Sequence, residues 1–281
     1  MHIISSNNSI NLARDFSLHL PGSTLVESTI SSFSSGEVEV LLSHPVHYEV
    51  VVVASLLTHK DLIEAITIID AAKRAGGKKI TLIAPYIFYS RQDDAKPFSS
   101  FGMEVIANII NSTGISKLIT VDIHNKKSLK LFKCDVVNIS VSEIIRYYDS
   151  FLPNGYIIVA PDEGSIKRLD GLEKNLIAMS KIRNNGEISV KLLSNVLDKN
   201  ANYLIVDDIF DSGITLAAAV EKLQDLGVKN ISAYITHFLG KFAPDNIALY
   251  TTDTVQFSNM PKVNKIFSVG KLLSKRFRIK V

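Results

Sequence analysis

The amino-acid sequence predicts an α/β fold with two doubly wound domains whose sheets are mainly parallel. Short apolar runs alternate with segments of helical periodicity along the chain, a pattern typical of βαβ units. A length of 281 residues suits two ordinary domains. Segments 75–83 and 226–234 also share a pattern, in which a glycine and a basic residue separate a helix end from a new strand. Many helix-to-strand turns look like this, so the repeat only supplements the other two observations.

We predict the first domain at residues 1–140. Its clearest helix is 61–75, where apolar side chains recur at helical spacing before Gly76 ends the helix. The other predicted helices are 11–18 and 103–111, and the predicted strands are 3–4, 24–30, 38–42, 49–54, 80–84, 118–122 and 134–139.

The second predicted domain covers residues 141–270, and a tail at 271–281 could pack on the first domain. Segments 204–206, 216–226 and 231–235 form a strand, a helix and a strand in the order of a βαβ unit. The remaining predicted helices are 142–151, 165–169 and 271–276, and the remaining strands are 157–160, 176–179, 248–250 and 265–268.

Composition narrows the function classes. The formal net charge is only +3, so we expect no nucleic-acid partner, while a pocket for anionic metabolites remains compatible. Cys134 is the single cysteine, which excludes an intrachain disulfide and a thiolate metal site and favours a reducing, cytoplasmic compartment. The first residues lack the pattern of a signal peptide, and the apolar runs are of strand length, so we expect no membrane partner.

Residues 204–220 carry the strongest functional signal. An apolar strand is followed by two carboxylates, by a short polar turn and by a helix. Backbone N–H groups at a helix start favour an anion, and a glycine allows a phosphate to approach the backbone closely. Carboxylates instead suit sugar hydroxyls or the waters of Mg²⁺. We therefore predict a phosphorylated sugar as the ligand of Asp207, Asp208, Asp211, Ser212, Gly213 and Thr215.

Four other motifs are ambiguous when taken alone. Arg91, Gln92 and Asp93 follow strand 80–84, at the edge where open α/β sheets bind ligands. A turn at 32–37 carries an aromatic residue and an acid. His124 follows strand 118–122, and Asp162 follows strand 157–160. Each motif could equally be a solvated loop, a structural histidine or a helix N-cap.

The segment 179–186 contains two cations, Lys181 and Arg183, in a polar stretch with a glycine. A mobile loop with positive charge would suit closure over a polyphosphate, because charge that develops at phosphorus needs positive partners. A plain surface loop is the alternative interpretation.

Taken in order, these motifs resemble the ribose-phosphate diphosphokinases, also called phosphoribosyl pyrophosphate synthetases. The resemblance covers nearly the whole chain. The combination of Arg91-Gln92-Asp93 with the loop at Asp207 is specific to this family. The loop at Asp207 by itself is not specific, because all type I phosphoribosyltransferases have it. Residues 268–273 are similar to the C-terminal signature of the family.

The resemblance implies two domains of the type I phosphoribosyltransferase kind and transfer of pyrophosphate from ATP to ribose 5-phosphate. It implies Mg²⁺ as cofactor and a homo-oligomer, either a dimer or a multiple of dimers. Lys181 and Arg183 would be catalytic. ATP would be bound by Phe33, Glu37, Arg91, Gln92, Asp93 and His124, ribose 5-phosphate by the six residues predicted above, and the metal by His124 and Asp162.

The chain also departs from the family pattern. The stretches 94–103 and 125–132 differ from the family's usual residues, and Ser165 and Ile214 each replace a usual glycine. Two alternatives therefore stay open: a phosphoribosyltransferase that consumes phosphoribosyl pyrophosphate, and a non-catalytic paralogue that regulates a true synthetase.

Overall fold

The structure, a computed structural model, describes residues 1–169, 171–172, 176–184, 187–192, 197–240, 243–256 and 263–278, with only the backbone described between 181 and 192. These residues form two compact units. The first contains residues 1–139, 254–256 and 268–278, and the second contains residues 140–253 and 263–267.

The first unit begins with eight strands and three helices. The strands are β1 (His2–Ser5), β2 (Thr24–Leu25), β3 (Ser28–Ser32), β4 (Val38–Leu42), β5 (Glu49–Val53), β6 (Lys79–Ile83), β7 (Lys117–Val121) and β8 (Asp135–Ile139). The helices are α1 (Ile10–Leu18), α2 (His59–Arg74) and α3 (Gly102–Ser112).

The second unit contributes α4 (Val141–Tyr148), α5 (Glu163–Arg168) and α6 (Ile214–Asp225). Its strands are β9 (Ile157–Ala160), β10 (Leu176–Asn184), β11 (Glu187–Leu192), β12 (Asn202–Phe210), β13 (Asn230–Phe238), β14 (Ala248–Thr252) and β15 (Lys265–Phe267). The last helix, α7 (Gly270–Arg278), belongs to the first unit.

The main sheet of the first unit has the strand order β2-β1-β5-β6-β7-β8, and all of its pairs are parallel. Val50–Val53 of β5 are fully buried, as expected for a central parallel strand with helices on both faces. Helix α2 begins with a capping box, in which the Asp61 carboxylate accepts from the N–H of Thr58 at 2.8 Å and the Thr58 hydroxyl accepts from the N–H of Asp61 at 3.3 Å.

The second unit has a sheet of order β11-β10-β9-β12-β13-β14-β15, parallel except for the β10–β11 pair. Tyr203, Ile205 and Phe238 lie in its core, packed with Leu223 of α6. The predicted fold class, with two doubly wound and mainly parallel sheets, is therefore confirmed. Among the described helices, none is both long and apolar enough to cross a membrane.

Three predicted elements differ from the structure. The predicted strand 24–30 is divided into β2 and β3, because β3 leaves the main sheet and pairs antiparallel with β4 as a separate ribbon. The predicted strand 204–206 extends to Phe210 in β12. The predicted loop after residue 180 is wrong for the described backbone, since β10 continues to Asn184 and pairs with β11.

Candidate active site

The two carboxylates of the Asp207 loop lie inside strand β12 rather than after it. Asp207 pairs with Ile235 of β13, and the strand continues to Phe210. The side chains are largely buried, with 15% of Asp207 and 5% of Asp208 exposed. The carboxylates thus stand at the carboxyl end of a central strand, where parallel α/β sheets bind ligands.

A three-residue turn joins β12 to α6. Gly213 is the N-cap of α6 and has a φ of +77°, a left-handed conformation that favours glycine. A Cβ at this position would lie 2.8 Å from the ring of Phe210. Asp211 and Ser212 are exposed and Thr215 is half-buried. The N-cap glycine supplies no side-chain acceptor to the first turn of α6, and a helix start of this kind favours an anion.

Asp162 caps the neighbouring helix, α5. Its Oδ1 accepts from the backbone N–H of Ser165 at 2.8 Å and from the Ser165 hydroxyl at 2.9 Å. Strand β9, which precedes this turn, pairs directly with β12. The structure therefore brings Asp162 close to the two carboxylates of β12.

Arg168 links these acids, and it is not among the site residues that the sequence predicts. Its Nη2 lies 2.8 Å from Oδ1 of Asp207 and 2.8 Å from Oδ1 of Asp208. The same nitrogen donates to the Ser165 hydroxyl at 3.0 Å. Only 8% of the Arg168 side chain is exposed. A signal existed in the sequence, because Ser165 and Arg168 have the i, i+3 spacing that puts side chains on one helix face.

The electrostatics of this cluster are dominated by burial. Burial and the neighbouring Asp208 carboxylate raise the pKa of Asp207 well above its ordinary value, while the Arg168 guanidinium opposes the shift. Asp162 raises the pKa of Asp207 further. Three acids and one base therefore share a small volume, and a bound cation or hydroxyl donor would relieve their repulsion.

In the first unit, the motif at Arg91-Gln92-Asp93 follows β6. Arg91 and Gln92 are exposed, and Asp93 is half-buried. Gln92 lies against the start of α3, because a Cβ at Gly102 would be 2.6 Å from its Oε1. Tyr89 precedes the motif with a φ of +62°, and its hydroxyl shares a hydrogen bond of 3.0 Å with Nε2 of His59. The loop is therefore anchored on both sides.

His124 follows the adjacent strand, β7. Asp122 has a φ of +39° and is buried, while His124 is half-buried. The N–H of Ile123, between them, donates to Oδ1 of Asn138 at 3.1 Å. Because β6 and β7 are neighbours in the sheet, the structure puts His124 and the Arg91 motif at the same edge of the first unit.

Phe33 and Glu37 flank the turn of the β3–β4 ribbon. The backbone N–H of Phe33 donates to the carbonyl of Glu37 at 2.9 Å, and Gly36 has a φ of +91°. The Phe33 ring is 56% exposed. The predicted turn is thus a hairpin tip that presents an aromatic ring to solvent.

Lys181 and Arg183 lie in β10, and their side chains are outside the described residues. The part of the chain with described side chains holds no group of three or more acidic, histidine or cysteine side chains that could bind a metal ion.

A family model described as the N-terminal domain of ribose phosphate pyrophosphokinase matches residues 1–114. The ribose-phosphate pyrophosphokinase of Aquifex aeolicus is 30% identical over 96% of this chain and 90% of its own length. Ribose-phosphate pyrophosphokinase A of Dictyostelium discoideum is 32% identical over 84% of this chain and 77% of its own.

The crystal structure of phosphoribosylpyrophosphate synthetase from Mycobacterium smegmatis has the same fold. It superposes with a TM-score of 0.82 at 22% identity, and the match covers 99% of this chain and 97% of that one. Together with the Aquifex relative, which matches along nearly the whole of both chains, these similarities show that the protein belongs to the ribose-phosphate pyrophosphokinase family, so the family and the enzyme class predicted from its motifs are confirmed.

Proposed function

We propose that this chain transfers the pyrophosphoryl group of ATP to the anomeric hydroxyl of ribose 5-phosphate, giving phosphoribosyl pyrophosphate and AMP. The hydroxyl oxygen attacks the β-phosphorus of ATP and loses its proton to solvent. The bond between that phosphorus and the oxygen that bridges it to the α-phosphorus breaks, and AMP leaves with the electron pair. Membership of the family supports the proposal.

The observation that carries the proposal is the joint presence of an anion turn and an acid pair on β12. Gly213 opens the N-terminus of α6 to a phosphate, and Asp207 and Asp208 stand seven and six residues before Ile214, where α6 begins. A phosphorylated pentose has both features that this arrangement would recognise. We assign its 5-phosphate to residues 211–215 and its hydroxyls to the two acids.

The nucleotide side is proposed for the first unit. Arg91 can clamp a phosphate with two parallel hydrogen bonds, and Gln92 can donate and accept at a base edge. Phe33 offers an exposed ring for stacking, with Glu37 beside it. Asp93 and His124 complete the proposed ATP set, and Lys181 and Arg183 would offset charge on the transferring group.

Mg²⁺ is the proposed cofactor, and Asp162 is the residue best suited to hold it. Both hydrogen bonds that Asp162 accepts in the described part of the chain end on Oδ1, and its carboxylate is the type of ligand that Mg²⁺ prefers. Mg²⁺ commonly takes one or two carboxylates together with substrate phosphates, so three protein ligands are not required. His124, the other proposed ligand, suits a phosphate oxygen better than Mg²⁺. A bound Mg²⁺ would neutralise charge on the polyphosphate of ATP.

Two further properties are proposed from the resemblance: a cytoplasmic location and assembly into dimers or multiples of dimers. Cys134 is the single cysteine of the sequence, and a chain that forms no disulfide within itself is compatible with a reducing compartment. Burial raises the pKa of the Cys134 thiol, which makes it a poor nucleophile.

The decisive test is an assay of purified protein with ATP, Mg²⁺ and ribose 5-phosphate. We expect equal amounts of AMP and phosphoribosyl pyrophosphate, and we expect both to disappear when EDTA replaces Mg²⁺. Release of pyrophosphate from phosphoribosyl pyrophosphate in the presence of a nucleobase would instead favour the phosphoribosyltransferase. If neither reaction occurs, and addition of the protein changes the rate of a true synthetase, the regulatory paralogue is correct.

A further inference from the structure

Arg168 occupies an unusual place in the cluster on β12. One nitrogen of its guanidinium, Nη2, contacts Oδ1 of Asp207, Oδ1 of Asp208 and the hydroxyl of Ser165 at 2.8 to 3.0 Å. Consecutive residues of a strand normally point to opposite faces, and yet both carboxylates reach the same nitrogen. The arginine therefore fixes the direction of both acids at the carboxyl end of the strand.

The contacts of Asp207 leave one side of its carboxylate for a ligand. Within the described residues, Arg168, Ser165 and the N–H of Asp208 all bind Oδ1 of Asp207, at 2.8, 3.3 and 3.0 Å. The side chain keeps 15% of its surface exposed, and none of these three contacts uses Oδ2, which is therefore the oxygen that we assign to a ligand. An arginine that engages Oδ1 thus aims Oδ2 at the ligand.

Ser165 ties this arrangement to the helix that Asp162 caps. Its hydroxyl accepts from Arg168 and lies 2.9 Å from Oδ1 of Asp162. Because the hydroxyl has one hydrogen, it accepts from Arg168 and shares that hydrogen between Oδ1 of Asp162 and the more distant Oδ1 of Asp207. The residue that replaces a usual family glycine is therefore an integral part of the cluster.

We propose that Arg168 is a positioning residue for sugar binding: it compensates the charge of Asp207 and Asp208 and holds Oδ2 of Asp207 toward a hydroxyl of the pentose. This inference rests on the proposed function, because it takes the two acids as the sugar-hydroxyl ligands. Arg168 itself would not contact the substrate. Its removal would leave two adjacent carboxylates buried without a counter-charge, and they would separate.

The test measures binding of ribose 5-phosphate by calorimetry to the wild type, to R168Q and to R146Q. Arg146 is the matched control, since it lies in the same unit and donates only to the carbonyl of Gly171 among its described contacts. We expect R168Q to raise the Kd for ribose 5-phosphate at least tenfold and R146Q to change it less than twofold. An equal Kd for R168Q and wild type would overturn the inference.

A second ligand separates positioning from a general structural effect. With 2-deoxyribose 5-phosphate, which lacks one of the hydroxyls, we expect R168Q to lose less affinity than it loses with ribose 5-phosphate. Equal losses with both sugars would indicate that Arg168 only supports the fold, and would contradict the proposal. If the wild type itself does not bind ribose 5-phosphate, that result contradicts the proposed function. Binding by the wild type and an equal Kd for R168Q would contradict only the proposed role of Arg168.

Two milder variants keep the test informative if R168Q does not fold. R168K keeps the charge but replaces a planar fork with a point charge, and S165A removes one contact of the guanidinium without exposing an acid. We expect both to raise the Kd for ribose 5-phosphate about three- to tenfold. Unchanged affinity in both folded variants would overturn the inference.

Discussion

At the scale of single residues, the sugar-phosphate turn depends on Gly213. Its φ of +77° is a conformation that costs a residue with a Cβ about 1–2 kcal/mol. A Cβ would also lie 2.8 Å from the ring of Phe210, closer than van der Waals contact. The same ring lies against Gly240, where a Cβ would be 2.4 Å from Cε1 of Phe210, so it has little room to move.

We therefore expect Gly213→Ala to raise the KM for ribose 5-phosphate about tenfold, which corresponds to about 1.4 kcal/mol. The KM for ATP should change less than twofold. Steady-state kinetics of AMP release measures both constants.

Gly227→Ala is the matched control for this prediction. Gly227 has a φ of +84°, and the atoms nearest to a Cβ at this position belong to the flexible side chain of Lys199. It should cost similar stability without changing either KM. A tenfold rise in the KM for ribose 5-phosphate in the control as well would show that the effect is not local to the turn.

Some residues of the acidic cluster on β12 and its neighbouring turns could be predicted from the sequence, and one could not. Asp162, Asp207 and Gly213 were predictable because each stands at a strand end or a helix start, where local sequence determines the backbone. Arg168 was not predictable, because the burial of a charged side chain depends on partners that are about 40 residues away in the chain. Its i, i+3 spacing from Ser165 only becomes meaningful once β9 and β12 are known to pair.

At the scale of elements, helix α2 contains a buried acid. Glu64 is 4% exposed, and its Oε1 accepts from the N–H of Asn7 at 2.6 Å. Burial raises the pKa of Glu64, with Asp61 raising it further, while the Asn7 N–H and Lys60 lower it. The folded protein thus binds this proton more tightly than the unfolded chain does. The resulting stabilisation is complete below the ordinary pKa of 4.5 and is lost as the pH rises through the higher folded pKa.

Glu64→Gln should remove this pH dependence, because glutamine keeps the acceptor for Asn7 and carries no charge. The quantity to compare is the Tm of E64Q minus the Tm of the wild type. We expect this difference to be larger at pH 7 than at pH 4.5 by a few degrees, since each kcal/mol of stability shifts the Tm by about 2–4 °C. Thermal unfolding followed by circular dichroism measures the difference. Glu221→Gln, at an exposed position of α6, should follow the wild type at both pH values. If the Tm of E64Q differs from that of the wild type by the same amount at both pH values, the buried carboxyl does not cause the pH dependence.

The elements themselves were predictable to different degrees. Central parallel strands such as β5 are continuous apolar runs, and α2 has helical periodicity and a capping box, so both are visible in the sequence. The part of the β10–β11 hairpin that follows residue 180 was interpreted as a loop because Lys181, Arg183 and Gly186 form a polar stretch with a glycine. The alternation of polar and apolar residues over 187–192, which is typical of a half-buried strand, was overlooked. The antiparallel pairing of β3 with β4 also depends on contacts that no single strand reveals.

At the scale of the whole molecule, the two units have one topology. The order β2-β1-β5-β6-β7-β8 corresponds strand by strand to β10-β9-β12-β13-β14-β15. The weak repeat at 75–83 and 226–234 falls at equivalent places, the turn from α2 to β6 and the turn from α6 to β13. It therefore marks a real correspondence, although a pattern of glycine and a basic residue is too common to establish one by itself.

The first unit is completed by the C-terminal end of the chain. Helix α7 packs against α1, where the rings of Phe16 and Phe277 meet edge to face with centroids 6.0 Å apart. The hydroxyl of Ser268 donates to Oδ2 of Asp15 at 2.6 Å. Leu273 of α7 is fully buried. The stability of the first unit therefore depends on a segment more than 100 residues beyond the end of β8.

This dependence predicts that Leu273→Ala will destabilise the first unit selectively. Truncation of a buried leucine costs about 2–5 kcal/mol, and a protein of two compact units need not unfold in one step. Hydrogen exchange should become faster in β1 and β5 and change much less in β12 and β13. Leu18→Ala is the matched control, because Leu18 lies on α1 and is 82% exposed, so it should alter stability by less than about 0.5 kcal/mol. Equal acceleration in all four strands would show that the units unfold together, and unchanged exchange in β1 and β5 would show that α7 is not needed for the first unit.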